Sequence, residues 1–187
     1  MANTATNVTA GKPKIGGAIY REPSGTTLPN DATTALGSSF VCLGYVSEDG
    51  LTNDNSPESE DIKAWGGDTV LTVQTSKDDK FGFTLIEALN ADVLKTIYGD
   101  ANVSGSLAAG ITVQANSKDL NEYVWAIDMI LRGGALKRIV IPAGKVAEVG
   151  TITYSDGDAV GYEVTLGTAP DTSGNTHYEY IKAASIT

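Results

Sequence analysis

The chain has 187 residues, 23 acidic and 13 basic side chains, a formal net charge of −10 and a sequence pI near 4.4. Such an acidic surface repels phosphate, which excludes ordinary nucleic-acid binding and attraction to an anionic membrane. The single cysteine, Cys42, excludes an intrachain disulfide, and no apolar run approaches the roughly 20 residues that span a bilayer.

The N-terminal third predicts an arm, a strand and a long loop. Residues 1–17 are mainly small and polar and predict an arm. Residues 21–37 are rich in Pro, Gly, Thr and Ala and predict a second long arm or loop, and residues 40–46 predict a strand. The polar segment 47–68 contains Pro57 and ends near Trp65. We interpret it as a long loop pinned by a buried Trp65. Loops of about 20 residues are uncommon in compact domains, so this one is either a segment that orders on a partner or a solvated loop.

A hairpin and one helix follow. Residues 69–75 and 81–87 alternate apolar and polar side chains and predict two strands joined by a charged turn. In the helix, Asn90 is the predicted N-cap and Gly99 the residue that ends it. The apolar stripe between them predicts a short helix that must pack against the sheet.

The second half alternates most clearly. Residues 122–132 and 135–142 predict a hairpin around Gly133-Gly134, followed by strands at 145–154 and 159–166. Residues 178–187 predict a last short strand or an arm. The whole chain, 1–187, is therefore predicted to be one mainly β domain. We expect an antiparallel β-sandwich or partly closed barrel with one short flanking α-helix.

No pattern supports catalysis or a cofactor. His177 is the only histidine and shares no motif with Cys42, so we expect no catalytic triad or zinc site. The acidic residues after Asn53 lack the glycine and glutamate spacing of an EF-hand loop. We therefore expect no enzyme activity, no metal and no cofactor.

Several stretches resemble the tail tube (major tail) proteins of long-tailed, non-contractile, siphovirus-type bacteriophages of Gram-positive bacteria. They include GKPKIGGAIYREPSGTTLPNDATTAL (11–36), LGYVSEDGLTNDNSPESEDIKAWGGDTVL (43–71) and FTLIEALNADVLKTIYGDANV (83–103). LKRIVIPAGKVAEVGTITYSDGDAVGYEVTL (136–166) and DTSGNTHYEYI (171–181) extend the resemblance over nearly the whole chain.

The resemblance implies hexameric rings that stack into a virion tail tube, assembled in the host cytoplasm, through which double-stranded DNA passes. It also implies a tape-measure protein, a tail-tip complex and a tail terminator as partners. Four strands per subunit would give a 24-stranded barrel about 48 Å across, at about 4.8 Å spacing and roughly 40° tilt. Six copies would carry about −60 per ring, which would repel DNA from an acidic lumen.

Two sets of residues are candidates for these roles. Candidates for contacts between subunits or rings are Glu48, Asp49, Glu58, Glu60, Asp61, Trp65, Tyr178 and Tyr180. Candidates for lumen charge are Asp128, Glu148 and Glu163. We also expect Arg132, Lys137 and Arg138 to pair with acids across a subunit interface.

Two other functions stay open at this point. One is a secreted β-sandwich adhesin or carbohydrate-binding module, which would require a signal peptide that the polar residues 1–7 do not resemble. The other is the inner tube of a contractile injection system, which shares the ring architecture.

Overall fold

The computed structural model describes residues 3–184, which form eleven strands, one α-helix and three short 3-10 turns. The strands are β1 (Gly11–Pro13), β2 (Ile19–Pro23), β3 (Val41–Cys42), β4 (Val46–Lys63), β5 (Thr69–Leu85), β6 (Val103–Ser106), β7 (Gly110–Val113), β8 (Tyr123–Leu131), β9 (Leu136–Val149), β10 (Tyr162–Ala169) and β11 (Tyr178–Lys182). The helix is α1 (Ala91–Tyr98).

The main sheet is antiparallel and curls into a partly closed barrel. Its strand order is β3-β2-β8-β9-β10-β5-β4, with β1 beside β8 and β11 beside β9. The two outermost strands, β3 and β4, are separated by only three residues of chain. In that link the Leu43 amide donates to Ile19 at one edge, and Tyr45 accepts from the Ile86 amide at the other. The two edges are therefore brought together, which confirms the predicted fold class.

The core fills the inside of this barrel. Alternate residues of β5, β8, β9 and β10 point inward, and the aromatic centre is Trp125, which packs against Phe83 and Tyr123 with ring centroids 5.9 and 6.4 Å apart. The Trp125 indole N–H donates to the Gly144 carbonyl at 3.0 Å, so its polar atom is satisfied inside the core.

Helix α1 is where the sequence predicted it. The Asn90 side chain accepts from the Asp92 amide at 3.0 Å, which caps the first turn. Gly99 follows the last turn with φ of 94°, a conformation that glycine adopts without a Cβ clash. Val93, Leu94 and Ile97 are buried against the barrel core, which supplies the stability that an eight-residue helix lacks alone.

A segment after β2 covers the outer face of the sheet beside β8 and β9. The Arg138 guanidinium donates to the carbonyls of Asp31 (3.1 Å) and Thr34 (2.8 Å) from this segment. It also donates to both carboxylate oxygens of Asp128, at 2.6 and 2.9 Å. Asp128 and Arg138 are only 3% and 1% exposed. The segment predicted as an arm or loop at 21–37 thus begins with the end of β2 and then covers a buried ion pair.

Several boundaries differ from those predicted from the sequence. The strands predicted at 135–142 and 145–154 are one continuous strand, β9, which ends at Val149. Residues 47–63 are not a loop, because β4 runs through them to Lys63. The predicted turn at 76–80 lies inside β5, paired to β4 along its whole length. The predicted N-terminal arm is partly tied down, since β1 pairs with the end of β8. The predicted C-terminal arm begins with β11, which pairs with β9, and its residues 185–187, like residues 1–2, lie outside the described range.

Candidate assembly interface

Strands β4 and β5 extend far beyond the barrel as a two-stranded hairpin, residues 53–79, which we call the arm. The last pair between β5 and β10 is Lys80 with Gly167. Beyond that pair, β4 and β5 form ladder pairs only with each other within residues 3–184. At about 3.4 Å per residue the arm is roughly 35 Å long. A lone hairpin is marginally stable in water, so this element is incomplete in one subunit.

Local chemistry closes the arm despite its polar sequence. At the tip, Gly66 and Gly67 have φ of 121° and 100°, and the Ala64 amide donates to the Asp68 carbonyl at 2.8 Å. Cross-strand hydrogen bonds then fix the register, as when the Thr72 hydroxyl donates to Asp61 at 2.6 Å. These bonds are exposed, and each contributes little.

One face of the arm is apolar near its tip. Ile62 lies opposite Leu71, and Glu60 opposite Val73, so these four side chains point to the same side. Ile62, Leu71 and Val73 are 50%, 55% and 41% exposed. Apolar side chains that are exposed on the face of a two-stranded hairpin are typical of a surface that another chain covers.

The arm region also holds much of the protein's charge. Residues 47–80 contain nine acidic side chains and three lysines, a net charge of −6 out of −10 for the whole chain. A partner surface with exposed cations and some apolar area would complement it.

The arm is anchored at its root by one buried carboxylate, Asp79. Asn53 of β4 donates to Asp79 Oδ1 at 2.7 Å. Thr176, from the segment before β11, donates to Asp79 Oδ2 at 2.6 Å, and His177 Nδ1 lies 2.5 Å from the same oxygen. The Thr168 hydroxyl of β10 donates to the Asp79 carbonyl at 2.8 Å. Three separate parts of the chain therefore meet where the arm leaves the barrel.

The charge state of Asp79 follows from these contacts. Burial alone would raise its pKa, but the hydrogen bonds from Thr176, His177 and Asn53 outweigh burial and hold the pKa below its usual value. His177 also packs edge-on against Phe81 at 5.3 Å between ring centroids. The carboxylate is thus held ionised at neutral pH as the acceptor at the centre of this junction.

A second open surface lies on the outer face of β4, β5, β10 and the end of β9. Glu148 lies opposite Thr165, and Thr165 opposite Gly82, which itself lies opposite Thr52. Glu163 lies on the same face, two residues before Thr165. This four-strand face is polar. Its two carboxylates stand at the end away from the arm, and Lys80 and Lys145 stand near the arm.

The structure brings together some of the predicted site residues and separates others. Glu58, Glu60, Asp61 and Trp65 all lie on the arm, and Glu48 and Asp49 lie exposed near the start of β4. Trp65 is 105% exposed at the tip, so the prediction that it is a buried anchor within the subunit was wrong.

Tyr178 and Tyr180 stack on each other at 6.3 Å between ring centroids, on β11. The Tyr178 hydroxyl donates to Asp171 at 2.6 Å. That hydrogen bond raises the pKa of Tyr178. Both rings are half-buried. They lie on β11, which pairs with the edge of β9 opposite to β8, and not at the tip of the arm.

The charged residues of β8 and β9 also need correction. Asp128 was predicted as lumen charge, but it is buried under the 21–37 segment and paired with Arg138 and Lys14. Lys137 pairs with Glu179 of the same subunit at 2.7 Å. Burial would raise the pKa of Asp128, yet Arg138 and Lys14 hold it below its usual value. Of the lumen candidates, only Glu148 and Glu163 share an exposed face.

Sequence reasoning missed the Asp79 junction because its partners are 97 and 98 positions away in the chain. It could have found the Asp128–Arg138 pair, because both residues stand five positions from Gly133 at the hairpin turn. Within residues 3–184, no cluster of three or more His, Cys, Asp or Glu side chains is placed to hold a metal ion, and the helices found there are too short or too polar to cross a membrane.

Comparison with known proteins places these surfaces in context. No curated protein matches the sequence. One similar solved structure is the cryo-EM structure of the anti-feeding prophage cap, described as a tube-terminating cap. It is 9% identical, the match covers 98% of this chain and 100% of that chain, and the TM-score is 0.38. The family model for phage tail tube proteins matches residues 1–186, and the chain therefore belongs to the phage tail tube protein family.

Proposed function

We propose that this chain forms hexameric rings that stack into a tail tube, and that the arm is the element that joins one subunit to another. As a member of the tail tube family, the protein has a structural role in the virion tail, and that family is not an enzyme family. The proposal goes further, to ring number, stacking and passage of the genome. The whole chain, 1–187, would act as one tail tube domain.

The observation that carries the proposal is the unpartnered arm. It has two open strand edges and an apolar face around Ile62, Leu71 and Val73. Open edges of this length favour aggregation unless another element covers them. A second copy of the same chain in a closed ring or in the next ring would cover every arm at once, because each subunit both gives and receives one.

The polar four-strand face supports a role as the lumen lining. It supplies the four strands per subunit that a 24-stranded inner barrel would need, about 48 Å across at usual spacing and tilt. The two lysines of this face, Lys80 and Lys145, pair with Asp78 and Asp119, and the carboxylates Glu148 and Glu163 would repel phosphate. DNA would therefore slide past this face without binding tightly.

The proposed partners follow from a tube. They are other copies of this chain, a tape-measure protein inside the tube during assembly, and a tail tip and a tail terminator at its two ends. We propose that assembly takes place in the host cytoplasm, and that the tube serves a non-contractile phage of a Gram-positive host. The absence of a contractile sheath around tails isolated from the phage would separate this assignment from the inner tube of a contractile injection system.

Assembly of the purified protein tests the proposal. Sedimentation velocity and negative-stain electron microscopy at low and high protein concentration should show rings or tubes with a central channel. In a parallel experiment, purified tail-tip complex is added, because nucleation is a separate requirement from subunit contact. A compact monomer at every concentration, with and without the tip complex, would overturn the tube proposal.

A matched pair of variants separates the arm from the barrel. In the first, residues 57–77 are replaced by an Asn-Gly turn that joins Ser56 to Asp78, which lie opposite each other in β4 and β5. In the second, the exposed loop at 155–158 is replaced by a Gly-Ser loop of equal length. Both variants should fold, by far-UV circular dichroism and cooperative thermal unfolding, and only the arm replacement should abolish rings and tubes.

A further inference from the structure

A row of four residues crosses the outer face of β1, β8, β9 and β11. Lys12 lies opposite Ile130, Ile130 opposite Leu136, and Leu136 opposite Lys182. Residues directly opposite each other in antiparallel strands point to the same side. The row therefore presents two apolar side chains flanked by two lysines, about 14 Å from end to end at usual strand spacing.

This row is partly open in the subunit. Lys12 and Lys182 are exposed, and Ile130 and Leu136 between them are half-buried. Neither lysine takes part in an ion pair with a residue of the described range, 3–184, whereas the nearby Lys14 and Lys137 do. The exposed Arg132 at the adjacent turn adds a third cation at this end of the sheet.

The distal face of the arm has the matching composition. It offers the apolar side chains Ile62, Leu71 and Val73 with the carboxylate of Glu60 beside them. The arm region is also strongly acidic, at nine carboxylates to three lysines. Apolar area in the centre with opposite charges at the rim is the arrangement of a specific protein interface.

We propose that the Lys12–Ile130–Leu136–Lys182 row is the receiving surface for the distal face of the arm of a second copy of this chain. Ile62, Leu71 and Val73 cover Ile130 and Leu136, and Glu60 pairs with Lys12 or Lys182 at the rim. This assignment rests on the proposed function, in which the arm joins subunits, and it adds the surface to which the arm binds.

The two apolar residues between the lysines favour a second copy of the chain, and not a nucleic acid, as the occupant. Phosphate contacts favour cations and hydrogen-bond donors, whereas the centre of this row is Ile130 and Leu136. Covering an apolar centre requires an apolar partner, and the arm of the same protein provides one with the opposite charge.

Charge reversal with rescue tests the pairing in the full-length protein. Glu60→Lys and Lys182→Glu should each raise the concentration needed for rings or tubes about tenfold, the effect of losing one interfacial charge pair. The same holds for Lys12→Glu if Lys12 is the nearer partner. The double variant Glu60→Lys with Lys182→Glu or Lys12→Glu should return that concentration toward the wild-type value.

The control reverses a lysine outside the row. Lys118 is exposed and forms no ion pair within residues 3–184, so Lys118→Glu changes the net charge by the same amount as Lys182→Glu. It should leave the assembly concentration unchanged and should not rescue Glu60→Lys. Thermal unfolding of each variant confirms that the subunit is folded.

Zero-length carbodiimide cross-linking provides a second measurement that needs only transient contact. In a mixture of isotopically light and heavy wild-type protein at high concentration, mixed-label cross-links should join residues 58–61 to Lys12 or Lys182. Mixed-label cross-links from the arm only to other lysines, or none from the arm, would overturn the receiving surface.

The two proposals fail separately. If replacement of the arm abolishes assembly but reversals in the row have no effect, the arm joins subunits through another surface and only the receiving surface is wrong. If arm replacement itself leaves assembly intact, the proposed function of the arm is wrong. Retention of the protein on a DNA column that Lys12→Glu and Lys182→Glu abolish would identify a nucleic acid as the occupant and overturn the second-copy proposal.

Discussion

The barrel and the arm contrast most clearly in their tryptophans. Trp125 is fully buried, packs on two aromatic rings and has its N–H satisfied by a carbonyl. Trp65 is fully exposed at the tip of a hairpin whose two strands, within residues 3–184, pair only with each other beyond the barrel. The barrel core is complete within one chain, whereas in our proposal the arm is completed by a second copy. Under that proposal, the two residues of the same type serve folding in one case and assembly in the other.

The largest expected effect is at the centre of the barrel. Trp125→Ala should lower the free energy of unfolding by about 3 to 5 kcal/mol, because it leaves a cavity and an unpaired Gly144 carbonyl. Urea unfolding monitored by far-UV circular dichroism measures this loss. A loss below about 1 kcal/mol would show that the barrel core is not closed around this ring.

The buried ion pair comes next. Arg138→Ala leaves Asp128 in the interior with Lys14 as its remaining cation, and should cost about 3 to 5 kcal/mol of the free energy of unfolding. The double variant Asp128→Leu with Arg138→Met removes both charges and should recover much of that loss. If the double variant is as unstable as the single one, the cost lies in the hydrogen bonds from Arg138 to the 21–37 segment.

The root of the arm should respond less strongly and with a pH signature. Asp79→Asn should cost about 1.5 to 3 kcal/mol, the range for hydrogen bonds to a charged group. The folded-state pKa of Asp79 is lowered, so its contribution is full above the unfolded value of about 3.9 and is lost as pH falls through the folded pKa. When the free energy of unfolding is measured from pH 7 to pH 2.5, it should therefore fall less steeply below pH 4 in Asp79→Asn than in the wild type.

If the free energy of unfolding falls equally steeply below pH 4 in both proteins, Asp79 does not contribute to its pH dependence. Other carboxylates whose pKa values are lowered by their partners, Asp31, Asp100, Asp128 and Asp171, would then account for it.

The smallest effect on stability belongs to the arm tip. Trp65→Ala should change the free energy of unfolding by less than about 0.5 kcal/mol, because an exposed side chain loses no contact within the subunit. Its effect should appear in assembly instead, as a higher concentration needed for rings or tubes. A loss of more than about 1 kcal/mol in the isolated subunit would mean that Trp65 packs on the barrel.

The difference between the two regions also explains which features the sequence could predict. The cap at Asn90 and the inward faces of β8 and β10 depend on local hydrogen bonding and on strict alternation, both of which are visible in the sequence. The β4 half of the arm was predicted as a loop because Asp, Asn, Gly and Pro57 in β4 have low strand propensity. Its structure comes from pairing with β5, a contact that propensity does not encode.

The candidate site shows the same limit. The acidic residues and Trp65 remain predicted contact residues. The prediction that Trp65 is buried was wrong; it was made because large aromatic side chains are mostly buried. The Asp79 junction joins residues from β4, β5, β10 and the segment before β11, so no local pattern could reveal it. The proposed receiving surface, the Lys12–Ile130–Leu136–Lys182 row, becomes visible only when the register of four strands is known.

Amide hydrogen exchange shows directly whether the arm is completed by a second copy of the chain. The protein is labelled in deuterated buffer as a free subunit and as an assembled tube, and peptides covering residues 53–79 are compared with peptides covering β8 and β9. The arm should exchange rapidly in the free subunit, because two strands alone protect amides weakly, and should become strongly protected in the tube, while the barrel is protected in both states. An arm that exchanges equally in both states would contradict the claim that it is completed by a second copy.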